Sequence, residues 1–343
     1  MRRSTPVMLI FSLLLATAAC ATHRARDTGE WQPLFRSPGA PISALTISGD
    51  GALFASAGGA AFRALPGDDT TWTALGELPA APDTRLVRRL YAPSRAVAYA
   101  ITYGCARVYR WEEGGAWTVV STPVSDSVIV DGHAQGCIQL YDIWGRGPND
   151  IYAVGSYATI LHFDGQVWTA QRSPLSEFAH GGGDMRERSN LLDVGGAGAA
   201  TFAVGLYDVL LTDDSGGWRV LFSEPHDGSG CALSVAASHG NEILVAGFDP
   251  SCLLRIDSRG SVRERLEPRA LRGRTPSGSE QTANSTLFWT DDGRIVEVRG
   301  RALSFFRISQ LATLSGIVNR GPIFYVGGAT SENVGVVARL RRH

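Results

Sequence analysis

No lysine occurs in this sequence: every one of the 32 basic side chains other than histidine is arginine. A surface that needs positive charge has no physical reason to exclude lysine altogether, so the absence reads as coding bias. After the first 19 residues there is no second apolar stretch long enough to cross a bilayer. There is no excess of positive charge either. The chain carries a formal −1, and losing residues 1–19 removes two Arg and no acid, which makes it −3. Nothing in that balance points to a nucleic-acid or anionic-lipid partner. Gly-Lys-Ser/Thr and Gly-x-Ser-x-Gly are both missing, which excludes a P-loop and an α/β-hydrolase nucleophile elbow. The cysteines include no closely spaced pair, so a four-cysteine zinc site is not indicated. No cofactor is implied.

The first 19 residues have the layout of an export signal. Arg2 and Arg3 open it, Val7 to Leu15 form a short apolar run, and Thr17-Ala18-Ala19 lead to Cys20. Small residues ending at a cysteine resemble the lipobox of bacterial lipoproteins, although Thr17 stands where that family usually has Leu. The resemblance implies a lipid on Cys20, a tether over 20–30 and a membrane partner through the lipid. It also implies an outer-membrane lipoprotein on the periplasmic or cell-surface side, since Ala21 rather than Asp follows the cysteine. Ordinary signal-peptidase cleavage is the alternative. The four remaining cysteines, Cys105, Cys137, Cys231 and Cys252, suit two disulfides in an exported protein.

Internal repetition decides the fold. LYDIWGRGPNDIYAVGSYATILHFDGQVWT (140–169) is echoed by LLDVGGAGAATFAVGLYDVLLTDDSGGWR (191–219). Following the template yields seven second strands, at 52–58, 97–104, 151–155, 201–205, 243–248, 286–290 and 323–328, each followed by a third strand. Outer strands open at Trp72, Trp117, Trp168, Trp218, Val262 and Leu303, one fewer than needed. The Trp31 to Pro38 segment matches the outer-strand pattern but has no inner strands before it, so it is expected to complete the last blade. The prediction is an all-β, seven-bladed β-propeller over 31–343, with six blades as the alternative. The sixth unit is the weakest, its inner strand expected at the polar stretch 279–284.

The stretches His162-Phe163-Asp164-Gly165-Gln166-Val167-Trp168 and Thr212-Asp213-Asp214-Ser215-Gly216-Gly217-Trp218 resemble the Asp box, Ser-x-Asp-x-Gly-x-Thr-Trp, while differing from it in residue types or spacing. On them the chain is similar to BNR/Asp-box-like propellers, including photosystem-II-assembly-factor-like repeat proteins. The outer-strand tryptophans are expected to pack between blades rather than to form a sugar-binding stripe.

Binding sites on a propeller usually lie on the face shared by the loops between second and third strands and the loops linking one blade to the next. Three such linking loops carry His133, His180 and His226, 47 and 46 residues apart, with Asp131, Asp184 and Asp227 close by. They could converge near the axis as a metal or binding site, or be three solvated loops. The loop 180–188 adds Arg186 and Arg188. On the same face Cys105 would join Cys137 across blades two and three, and Cys231 would join Cys252 within blade five. A sialidase reading lacks that family's Phe-Arg-Ile-Pro opening motif, since the similar Phe306-Arg307-Ile308-Ser309 lies near the wrong end. The expectation is therefore a non-enzymatic binding or scaffolding module for an envelope protein or glycan. A glycan-active hydrolase or lyase, sialidase-like or metal-dependent, is the alternative.

Overall fold

A computed structural model describes residues 30–79, 86–124, 129–130, 133–134, 137–178, 189–197, 199–212, 217–225 and 229–341. Seven four-stranded antiparallel sheets follow one another along the chain. From inner to outer strand, blade I comprises Ile42–Ile47, Leu53–Ala57, Ala60–Leu65 and Asp68–Glu77. Blade II comprises Val87–Ser94, Val97–Thr102, Val108–Glu112 and Thr118–Val120; blade III Leu140–Gly147, Asp150–Gly155, Ile160–Phe163 and Trp168–Ala170. Blade IV comprises Leu191–Ala197, Ala200–Gly205, Asp208–Thr212 and Trp218–Ser223; blade V Ala232–His239, Glu242–Phe248, Cys252–Asp257 and Val262–Leu266. Blade VI comprises Pro276–Gln281, Thr286–Thr290, Arg294–Arg299 and Ala302–Arg307.

Blade VII uses both ends of the described chain. Its strands Thr313–Arg320, Ile323–Ala329 and Gly335–Arg341 are completed by Glu30–Ser37, which runs antiparallel to the last of them from Glu30↔Arg341 to Ser37↔Gly335. The expected closure by the Trp31 strand is what the ladder shows. Each inner strand also touches those of its two neighbours, and the contacts run round to join blade VII to blade I, so the seven sheets form a closed ring. Closure leaves the hydrophobic faces of the sheets buried between blades and few edges open to pairing.

The repeated tryptophans explain how neighbouring blades adhere. Trp168 of blade III is 4% exposed and meets Tyr99 of blade II edge-on, with ring centroids 6.4 Å apart. Trp117 of blade II clusters with Phe54 of blade I, and Trp218 of blade IV meets Tyr152 of blade III at 6.0 Å. Trp72 of blade I packs with Tyr325 of blade VII, and Trp31 packs on the cluster containing Leu287 and Trp289 of blade VI. Every one of these rings lies on the preceding blade, where a large planar side chain buries the most area.

Blade VI departs from the sequence-based expectation. Its inner strand is Pro276–Gln281, three residues earlier than the expected start at Ser279. The strand needs no apolar run because its neighbours supply the contacts. Gly278 lies against the Trp289 ring, where a Cβ would collide, and Ser279 Oγ donates to the Ala236 carbonyl of blade V (3.0 Å).

Candidate functional site at the propeller axis

All seven inner strands carry the same irregularity. The register slips by one residue between Ile42/Ala44, Val87/Arg89, Leu140/Asp142, Leu191/Asp193, Leu233/Val235, Pro276/Gly278 and Leu314/Gly316. Such a bulge bends the strand and re-aims the side chains beside it. It also crowds the second strand: a Cβ at Gly155 would collide with the Gln139 carbonyl, and one at Gly328 with that of Thr313. The residue just past the slip is Ala44, Arg89, Asp142, Asp193, Val235, Gly278 and Gly316 in turn, so three successive blades place charge at one level of the ring.

These three charges form a network across the axis. The Arg89 Nε of blade II lies 3.2 Å from Asp142 Oδ1 of blade III, while its Nη2 donates to the Ser277 carbonyl of blade VI (2.9 Å). Asp142 Oδ2 accepts from the Val194 N–H of blade IV (3.0 Å), and Asp193 Oδ2 accepts from the Ala236 N–H of blade V (2.7 Å). The Asp142 and Asp193 carboxyls are within hydrogen-bonding reach of each other. Burial raises both above the ordinary aspartate value, Asp193 well above it with Asp142 adding to the rise, while Arg89 opposes the rise at both. Two enclosed carboxyls this close titrate as a coupled pair rather than as two separate groups. Glu280 of blade VI repeats the device, accepting from the backbone N–H of Asn319 in blade VII (3.0 Å) and from its side-chain amide. Enclosure of that carboxyl, in a residue that is only half-buried overall, pushes its pKa up to about 7.

Above the network, on the face shared by the blade-to-blade loops, Arg88 is sandwiched between aromatic rings. Its guanidinium carbon lies 4.3 Å from the Tyr141 ring centroid and 5.0 Å from that of Tyr103. Both are within cation–π range. Among the described residues no carboxylate lies within ion-pair distance of Arg88, and burial lowers its pKa. Tyr103 is 49% and Leu86 48% exposed, so apolar and aromatic surface surrounds this charge. In the adjacent turn of blade III, Tyr157 and Ala158 both have left-handed backbone, with φ of 57° and 58°. Two consecutive non-glycine residues in that region store strain of the kind found at binding and catalytic loops.

The cysteines pair as expected, on the same face. Cys105–Cys137 joins blades II and III with Cα atoms 5.1 Å apart, and Cys231–Cys252 lies within blade V at 6.2 Å. The other sequence-predicted candidates are not brought together by anything described. His133 lies in the two-residue strand His133–Ala134, paired with Ile129–Val130, and its backbone alone is described. His180, Asp184, Arg186, Arg188, His226 and Asp227 lie outside the described residues, as does Cys20. Among the described residues no group of three or more His, Cys, Asp and Glu could hold a metal ion, and no helix is long and apolar enough to cross a membrane. Sequence reasoning missed Arg88, Arg89, Tyr103, Tyr141, Asp142, Asp193 and Glu280. One signal was available, since Leu-x-Asp opens both echoed segments, at Leu140 and at Leu191.

The class of protein is thus a seven-bladed β-propeller with a charged axis and two disulfides on its loop face, and the disulfides suggest an exported protein. No protein-family model matches the chain, and no curated protein matches its sequence. Solved structures do resemble it. A catalytically inactive H270A virginiamycin B lyase from Staphylococcus aureus, crystallised with quinupristin, is 14% identical with a TM-score of 0.70, over 92% of this chain and 99% of that one. YCF48 from Cyanidioschyzon merolae is 12% identical with a TM-score of 0.61, over 91% and 98%. YCF48 bound to D1 peptide is 12% identical with a TM-score of 0.60, over 93% and 99%. At these identities the likeness concerns the fold.

Proposed function

We propose that this chain is an exported, membrane-tethered propeller that binds a protein partner on its loop face and catalyses no reaction. Residues 1–19 direct export, Cys20 carries the lipid, 20–30 form the tether, and the propeller stands at the outer membrane on its periplasmic or cell-surface side. The observation that carries the reading is Arg88, held between Tyr103 and Tyr141 beside exposed Leu86 with no carboxylate partner among the described residues. Aromatic and arginine side chains with a preset geometry dominate the energetics of protein interfaces. The axial carboxyls are tied to the backbone of the next blade, which suits a rigid platform. A structure with the same fold, YCF48, has been solved with D1 peptide, which favours a peptide or protein over a glycan as the first ligand to test.

The test is capture from envelope extracts on the lipid-free propeller, compared with Arg88→Ala/Tyr103→Ala and with Arg259→Ala on the opposite face. A partner retained by the parent and the Arg259 variant but lost by the double variant supports the reading. Equal capture by all three, or capture of nothing while a glycan array gives signal, overturns it. Palmitate labelling that survives Cys20→Ser would overturn the anchor. The second reading, a glycan-active hydrolase or lyase, is favoured by one feature, the enclosed Asp142–Asp193 pair at the axis, since a carboxyl whose pKa is raised by burial suits a general acid. Turnover of a glycan panel abolished by Asp193→Asn would establish it.

A further inference from the structure

A cleft of about 420 Å³ opens on the loop face where blade V meets blade VI. One wall is the turn between the second and third strands of blade V, Phe248 to Ser251, together with Glu267 just past the outer strand. The other is Arg272 to Thr275, the last residues before the inner strand of blade VI. The walls are fixed to each other. Ser251 Oγ donates to the Leu271 carbonyl (2.7 Å), Leu271 is fully buried in the turn Arg269–Leu271, and the Cys231–Cys252 disulfide sits directly behind Ser251.

The charges in this cleft are sorted by wall. Asp249 and Glu267 come from blade V, Arg272 and Arg274 from the side of blade VI, and among the described residues Asp249, Glu267 and Arg272 have no ion-pair partner. Arg274 has one, Asp292 (Nε–Oδ2 3.1 Å), but that carboxylate also takes Arg294 at 3.1 Å and accepts from Thr290 Oγ at 2.6 Å. Its negative charge is therefore divided between two guanidinium groups. Asp249 adopts left-handed backbone with φ of 49°, a conformation that aspartate tolerates better than most residues. Phe248, Pro250 and Pro268 supply apolar surface between the charged walls.

We propose that this cleft is a binding site for a small zwitterion of the amino-acid or dipeptide class. Arg272 and Arg274 take the carboxylate, Asp249 and Glu267 take the ammonium, and Phe248, Pro250 and Pro268 receive the side chain. A simple anion or cation satisfies one wall and leaves the other unpaired, whereas a neutral sugar satisfies neither. The volume falls in the range of small-molecule pockets and is too small for a folded partner. The site is separate from the Arg88 patch and stands or falls without it.

The test is titration calorimetry of the whole mature propeller with leucine, leucyl-leucine, leucinamide and N-acetyl-leucine. Binding of leucine or leucyl-leucine, with each singly charged analogue weaker by about tenfold or more, is expected from the loss of one charge-assisted contact. Arg272→Ala weakens the zwitterion but not leucinamide, and Asp249→Asn, which keeps the backbone preference, weakens the zwitterion but not N-acetyl-leucine. The proposal is overturned if none of the four binds, if the blocked analogues bind as well as the zwitterion, or if neither substitution changes affinity.

Discussion

The two sides of the propeller axis bring inner strands together by different means. From blade VII to blade I the contact is made by packing: a Cβ on Gly316 would come within 3.0 Å of the Leu45 Cβ, and one on Gly327 within 3.0 Å of Ile42 Cγ2. From blade II to blade IV the same positions hold Arg89, Asp142 and Asp193, and contact is made by an ion pair and by carboxyls capping the backbone of the next blade. The packed side depends on small residues and carries the seam where the two ends of the chain meet. The charged side carries the inter-blade disulfide and the exposed Arg88 patch. Burying charge costs free energy that packing does not, so the charged side is where a requirement other than stability has shaped the ring.

The comparison breaks first at the seam. Deleting Glu30–Ser37 removes the outer strand of blade VII and leaves Val336 to Leu340 on an open edge, with Phe35 lost from its contacts to Phe62 (4.8 Å) and Trp72 (5.2 Å). Loss of cooperative unfolding is expected, recovered when a peptide of 30–37 is added in trans, because unpaired edge strands aggregate and ring closure is the source of cooperativity. A truncated chain that melts as sharply as the parent would mean that the ring closes without this strand. On the charged side the effect is smaller and depends on pH. Arg89→Leu leaves the Asp142–Asp193 pair without its cation and is expected to cost about 4 kcal/mol at neutral pH, as when one partner of a buried ion pair is removed. Without Arg89 the folded-state pKa of the pair rises further, so the variant binds more protons when folded and its deficit shrinks as pH falls. Urea unfolding at several pH values reads this out, and a deficit independent of pH would place the pair outside the network.

Much of this ring was legible in the sequence because a propeller repeats. Seven apolar second strands, each followed by a third strand, and a tryptophan at one phase of five outer strands are periodic signals, and the orphan Trp31 segment had one place to go. Blade VI was placed three residues late because Pro276–Gln281 carries no apolar pattern of its own and is held by the Trp289 ring and Ala236. The disulfide pairing followed from the template, since both pairs fall on one face. The axial site was not legible. Its bulges leave no mark in composition, and Arg89 meets Ser277, 188 residues away, through a geometry that only the closed ring creates. Leu-x-Asp in two adjacent repeats was the one visible trace, and a single shared Asp reads as turn chemistry until the register slip is known.

Glu280 lies between the two sides and offers the finest test of the contrast. Its carboxyl accepts from both N–H groups of Asn319, yet enclosure raises its pKa from 4.5 to about 7. An acid whose folded pKa is raised holds its proton more tightly in the folded state, so it is neutral in both states below 4.5 and penalises folding increasingly as pH climbs toward 7. Glu280→Gln keeps a carbonyl acceptor for Asn319 and removes the titration. The variant should therefore gain relative to the parent as pH rises from 4.5 to 7, by about 3 kcal/mol, and the difference should be flat above and below that window. Paired chemical denaturation from pH 4 to 8 measures it. If the parent instead gains on the variant over this range, the two Asn319 donors outweigh enclosure, Glu280 is ionised at neutral pH, and blade VI belongs with the charged side of the ring.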